Sequence, residues 1–311
     1  MKDLSVQLGS LTLEHPLMNA AGTCKLLDGT HSVKELARTT AAAIVVGSGT
    51  IESRTGNGGE VYWSESPYSL NTLGLNNPGK DKYQQYLPQM VGVAHDAGKK
   101  LCFSAAGFSP TEYAVLAAMA LECKVDIVEL NAGCPNVWGE SGQKPIASFV
   151  PELMEEILSA VEEEVGVDAL IAVKVSPFSD PFNLGRVAKV LASSKLVKIV
   201  TAINTIPNCY SLDSMGKPRI RATPLDGGNE VNLAGGAGAA VKAFGLGQVV
   251  QLRATLPKHI QIIGVGGIKT GQDILDYLRS GAVAIQIATT YLDEGPDAFA
   301  RLLTEYTDLL G

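Results

Sequence analysis

Apolar residues along this chain gather into eight short runs that polar residues scarcely interrupt. The runs are Leu17–Gly22, Ala42–Gly47, Leu101–Gly107, Asp126–Asn131, Leu170–Val175, Ile199–Asn204, Ile260–Gly266 and Val283–Ala288. A strand with one wet face alternates apolar with polar residues, so unbroken runs suit strands covered on both faces, as in a parallel sheet. Between the runs lie helical patterns at about 82–97, 150–164, 182–194, 237–256, 270–280 and 294–309. Start signals support two more helices. Ser32 and Glu35 have the spacing of a capping box, and Ser109-Pro110-Thr111-Glu112 supplies a cap, a proline at the first helical position and an acidic first turn. Strand and helix therefore alternate through eight units, which predicts an α/β fold of the (β/α)8 TIM-barrel type rather than an open doubly wound sheet. No linker divides the chain, so residues 1–311 are expected to form a single catalytic domain.

Two connections, 48–81 and 205–236, are too long for plain loops. Both follow strands and so belong to the catalytic face of a barrel, where long segments serve as covers or binding loops.

Composition narrows the function classes. A net charge of −7 would repel a phosphate backbone, and no basic cluster offsets it, which argues against nucleic acid as a partner. The amino-terminal stretch has no signal-like apolar core, and no window approaches about 18 uninterrupted apolar residues. A cytoplasmic protein without a membrane partner is expected. The cysteines Cys24, Cys102, Cys123, Cys134 and Cys209 are scattered without a C-x-x-C pair, and the four histidines are equally dispersed, so neither a disulfide framework nor a metal site is expected.

Polar residues at the ends of barrel strands then become site candidates: Asn19, Asn131, Lys174 and Asn204. The segment Glu129–Asn136 places Asn131, Cys134 and Asn136 on one tight loop. Its amides can hold the carbonyl and N–H edges of a planar ligand, while the thiol is either a base for a carbon-bound proton or a small buried hydrophobe. Lys174 ends an apolar run; there it neutralises an anionic cofactor ring, forms a Schiff base, or snorkels as a structural lysine. Gly264–Gly271 and Ala288-Thr289-Thr290 follow the seventh and eighth runs, the usual place for a phosphate in a barrel, with a structural turn as the plainer reading. Asn71–Gly79, inside the first long connection, is either a surface turn or a segment that covers the substrate.

Together these residues resemble the dihydroorotate dehydrogenases, in particular the soluble class 1A enzymes. The resemblance runs through Pro16–Gly22, Asn71–Asn77, Glu129–Val137, Val173-Lys174, Ile203–Thr205, Gly264–Asp273 and Gln286–Thr289. It implies FMN held by Ala20, Ala21, Gly22, Ser48, Lys174, Gly235, Gly236, Gly266, Gly267, Ala288 and Thr289. It assigns a pyrimidine substrate to Asn71, Gly74, Leu75, Asn131, Asn136, Asn204 and Thr205. It makes Cys134 the base that takes a proton from C5 of dihydroorotate as hydride leaves C6 for flavin N5. A homodimer, fumarate as electron acceptor and a place in pyrimidine biosynthesis are implied as well.

The chain departs from the family pattern where a lysine is expected beside the ligand: the second run ends Val46-Gly47-Ser48. A later pair of arginines survives only as Arg54, with Val61 at the second place, and the cysteine loop is lengthened over Val137–Ile146. Loss of a cation beside a carboxylate-bearing ligand should weaken that ligand's binding. The alternatives are therefore a flavin enzyme for another planar amide or pyrimidine, a flavin-binding paralogue without turnover, and a lyase using Lys174. Lys25 and Lys144 are the candidate replacement cations, and a lysine restored at position 47 is expected to raise orotate affinity.

Overall fold

The computed structural model describes residues 3–26, 30–139, 142–225 and 229–311. Each of the eight apolar runs contributes one strand: Leu17–Asn19, Ala43–Gly49, Lys100–Ala105, Ile127–Asn131, Ile171–Val175, Val197–Ala202, Gln261–Val265 and Ala284–Ile287. All pair in parallel with their neighbours, and the first pairs with the last, so the sheet closes as the expected barrel. Residues pointing inward, among them Met18, Val45, Cys102, Ile127, Ala172, Ile199 and Ala284, form one buried cluster. A short hairpin, Val6–Leu8 with Leu11–Leu13, adds Leu8 and Leu13 to that cluster. The Gln261 side chain, at the start of the seventh strand, bonds Gly9 N and Gln7 O, which seats the hairpin across the barrel floor. Outward-facing residues such as Ile44, Val46, Phe103 and Val128 pack beneath the surrounding helices in a second, larger cluster.

The helix at Pro110–Glu122 starts as its sequence predicts: Ser109 Oγ accepts from Glu112 N, and Pro110 takes the first turn, where its missing N–H leaves no bond unmade. The Ser32–Glu35 capping box does not form. That helix, His31–Ala37, begins two residues earlier behind Thr30, and Ser32 Oγ donates instead to Lys25 O. The pattern over 237–256 divides as well. Gly238, at φ +88, ends a strand, and a 3-10 turn precedes the helix Lys242–Thr255. Gly295 and Pro296 split the last expected helix into Thr289–Glu294 and Asp297–Leu310.

The two long connections are not loops. Tyr62–Glu65 and Tyr68–Asn71 from the first join Ile206–Cys209 and Ala234–Ala237 from the second in one four-stranded antiparallel sheet. Asn57–Glu60 pairs with Arg221–Pro224 beside it. Leu70, Ile220, Ala222 and Ala234 bury a small core between these pieces. The strands escape sequence reading because glycine and proline interrupt them: two are half glycine and two carry proline. Of the lengthened cysteine loop, residues 140 and 141 lie outside the described residues, as do 226–228 of the second connection.

Candidate active site

Lys174 reaches into the barrel from the fifth strand, between Asn131 and Thr201 on the neighbouring strands. Its ammonium donates to Gln286 Oε1 at 3.1 Å and lies 3.9 Å from Glu129 Oε1. Glu129 is fully buried, and its other oxygen accepts from Thr201 Oγ1 and Gln286 Nε2, both at 2.9 Å. Oε1 makes no hydrogen bond. This polar layer lies across an otherwise apolar barrel, and its only announcement in the sequence is a charged residue standing alone in an unbroken apolar run. Lys174 carries that signal, and so does Glu129, which the reading of strand ends does not include because it lies two residues before the end of its strand.

Near this layer the strand ends bring amides together in two pairs. Asn204 Nδ2 donates to Asn131 Oδ1 at 3.0 Å, and Asn136 Nδ2 donates to Asn71 Oδ1 at 2.9 Å. Asn131 in turn donates to Ser48 Oγ, which bonds Ser104 Oγ. Each amide nitrogen has a second hydrogen, so the wall keeps directed donors for a planar ligand. Cys134 is half-buried on the same wall. Burial pushes its thiol above the ordinary range, opposed by a backbone hydrogen bond at Asn136 and by the charges of Lys25, Arg54 and Lys174.

Every residue expected to bind substrate, namely Asn71, Gly74, Leu75, Asn131, Asn136, Asn204 and Thr205, lines one cleft with Cys134, and Gly22 and Ser48 line it too. An adjoining cleft of about 980 Å³, open mouth included, is lined by Ala20, Ala21, Lys174, Gly236, Gly266, Gly267, Ala288 and Thr289. Lys174, Asn204 and Thr205 border both. Gly235 lines neither; a side chain there would collide with Thr205 Oγ1. Asn19 stands apart as well. Fully buried, it exchanges two hydrogen bonds with the Val45 backbone and pins the first strand to the second.

The larger cleft suits a mononucleotide with a flavin ring. At one end Gly266 and Gly267 turn through φ +120 and +71, so bare backbone faces the cleft beside the Thr289 hydroxyl; a Cβ on Gly267 would meet the Lys242 backbone nitrogen at 2.5 Å. Such glycine backbone can approach a phosphate closely. At the other end Lys174 offers a positive charge for an electron-rich ring. Ala20 N and Gly22 N are already bonded to Ile287 O and Gly47 O, so of these three amides Ala21 N is the one left for a ligand.

Gly47 cannot be exchanged for the lysine that resemblance expects. Its φ is +116, and an added Cβ would lie 2.5 Å from the Ser104 carbonyl oxygen. Gly47→Lys is therefore expected to lower stability rather than raise orotate affinity, overturning the earlier expectation; a melting temperature at or above that of the unmodified protein would contradict the geometry. Lys25, in contrast, lines the Cys134 cleft, while Lys144 lies 4.8 Å from the Phe108 ring centroid beside a separate one.

Among the described residues no group of three or more potential ligands could hold a metal, and no helix is long and apolar enough to cross a membrane. The sequence model of the family described as dihydroorotate dehydrogenase matches residues 3–310. The chain is 31% identical over 309 residues to dihydroorotate dehydrogenase A (fumarate) of Lactococcus lactis, covering 99% of this chain and 94% of that one. It is 32% identical to dihydroorotate dehydrogenase (fumarate) of Kluyveromyces lactis, covering 99% and 93%. A solved dihydroorotate dehydrogenase of Eimeria tenella, in complex with ferulenol, superposes with a TM-score of 0.80 over 99% of this chain and 84% of that one at 19% identity, a likeness of fold. Matched through its whole barrel, the chain belongs to the dihydroorotate dehydrogenase family, oxidoreductases that act on CH–CH donors.

Proposed function

We propose that this chain oxidises dihydroorotate to orotate with FMN in the larger cleft, as a cytoplasmic homodimer of pyrimidine biosynthesis that passes electrons to fumarate. The observation that carries the reading is the shared wall: Cys134 and four asparagines face one cleft, and Lys174 and Asn204 join it to the glycine-lined one. Ala21, Lys174, Gly266, Gly267 and Thr289 would hold FMN, which when bound supplies the acceptor for hydride from substrate C6. The asparagines orient the flat ring through its carbonyl and N–H edges. Cys134, as thiolate, takes the C5 proton, so loss of proton and hydride together leaves the C5–C6 double bond of orotate. The cover excludes water, tied down by Ser69 Oγ at 2.8 Å from Thr289 Oγ1 and by Tyr62 and Ser64, which donate to Asp293. Fumarate rests on the relatives' names, and the homodimer on apolar side chains exposed beside the cover, Tyr210, Leu212, Met215 and Leu225.

The purified protein is expected to be yellow, with about one FMN per chain, and to bleach when mixed anaerobically with dihydroorotate. Protein that cannot be loaded with FMN would sink the reading. Loaded protein that does not bleach would shift the assignment to another planar amide or to a paralogue without turnover.

A further inference from the structure

The cleft beside Cys134 contains a cation with no counter-ion among the described residues. Lys25 follows the turn at Ala20–Gly22, and its side chain lines the cleft together with Cys134, Asn131 and Asn136. The ammonium donates to Asn76 Oδ1, a neutral amide. Among the described residues no aspartate or glutamate lines this cleft or pairs with Lys25. The other lysine in the lining, Lys174, is already engaged by Gln286 and Glu129.

Withdrawing an ammonium from water without an opposing charge is unfavourable by several kcal/mol, and such groups respond by losing their proton more readily. Lys25 shows that response: burial lowers its pKa to about 8, and the Cys134 thiol opposes the shift. Near neutral pH it is still mostly charged. Its position therefore favours a ligand that brings a negative charge into the cleft.

We propose that Lys25 is a specificity residue of this enzyme, receiving the carboxylate of a planar pyrimidine ligand that Cys134 and the asparagines hold in the same cleft. The proposal rests on the dihydroorotate reading and adds to it the residue that selects for the acid. A charge at this place also answers the absence of one at Gly47, whose backbone admits no side chain. Lys25 follows the first strand and lines the cleft, and Gly47 lies in the second strand next to Ser48, which lines it too, so the charge is supplied from the first strand end where the second cannot carry one.

The test uses the FMN-loaded protein and its Lys25→Met and Lys25→Arg variants, titrated through the flavin spectrum with orotate and with orotate methyl ester, the same ring without the charge. Lys25→Met is expected to weaken orotate about 10- to 150-fold, the size of one charge-assisted contact, and to change ester binding less than about twofold. Lys25→Arg should recover most of the orotate affinity. FMN content and melting temperature, measured alongside, should stay unchanged, because no described carboxylate loses its partner. Unaltered orotate binding by Lys25→Met, or equal losses for acid and ester, would overturn the assignment of Lys25 alone. Unmodified protein that binds neither ligand and does not bleach with dihydroorotate would overturn the dihydroorotate reading, and this assignment with it.

Discussion

Cys134→Ala is expected to keep its FMN and to be reduced by dihydroorotate about 10²–10⁴-fold more slowly, the usual effect of removing a general base. Cys123→Ala should be reduced at nearly the original rate. The contrast follows from placement. Cys134 lines the cleft with the amide wall, whereas Cys123 is buried behind the helix Pro110–Glu122, its thiol directed at Gln84 O. Equal rates in the two variants would remove Cys134 from the mechanism. The pH dependence has a definite sign. The base works as thiolate, and burial places the thiol above its ordinary range, so most molecules hold it protonated at neutral pH. Reduction at saturating dihydroorotate should therefore rise with pH, roughly tenfold per unit below the thiol pKa. Lys25, Arg54 and Lys174 pull that pKa down, so these are the groups whose removal should move the profile. A rate independent of pH between about 6 and 8 would contradict a thiolate base.

Glu129→Leu is expected to destabilise the protein by about 3–5 kcal/mol, the range for removing one partner of a buried ion pair. Leucine has a suitable volume, so the loss comes from charge: among the described residues the Lys174 ammonium would keep Gln286 Oε1 as its acceptor but no opposing charge, and Thr201 Oγ1 would lose its own acceptor. Glu129→Gln keeps an oxygen for Thr201 and should fall between the two. The shift in urea midpoint at fixed FMN concentration measures it. A midpoint unchanged by leucine would show that the polar layer is not held together by its charges.

The barrel was legible because strands buried on both faces leave unbroken apolar runs, and all eight runs hold a strand. The cleft was legible because tight loops at strand ends keep their residues close in space whatever the chain does elsewhere; Asn131, Cys134 and Asn136 are such a group. Legibility ended where position depends on distant segments. Asn71 and Gly235 face each other through a sheet whose strands alternate too weakly to declare themselves. The conflict at Gly47 was equally hidden, since a collision with the Ser104 carbonyl oxygen is a fact about two neighbouring strands and not about either sequence. Ser32 and Glu35 satisfy a capping pattern by spacing alone, yet the helix starts behind Thr30, and helix ends commonly shift by a residue or two.

The sheet over the barrel mouth joins segments far apart in the chain: Asn71 Nδ2 reaches Gly235 O across 164 positions. Closing so long a loop carries an entropic penalty before any contact rewards it, and non-local strand pairing is slow for that reason. The asparagine pair Asn71–Asn136 depends on that closure, so half of the substrate wall has no fixed form until the sixth strand has been made and the chain has turned back as far as Ala237. A chain emerging from synthesis is thus expected to complete its cysteine loop before the asparagine wall that faces it. Until the second connection arrives, the thiol faces an unfinished cleft.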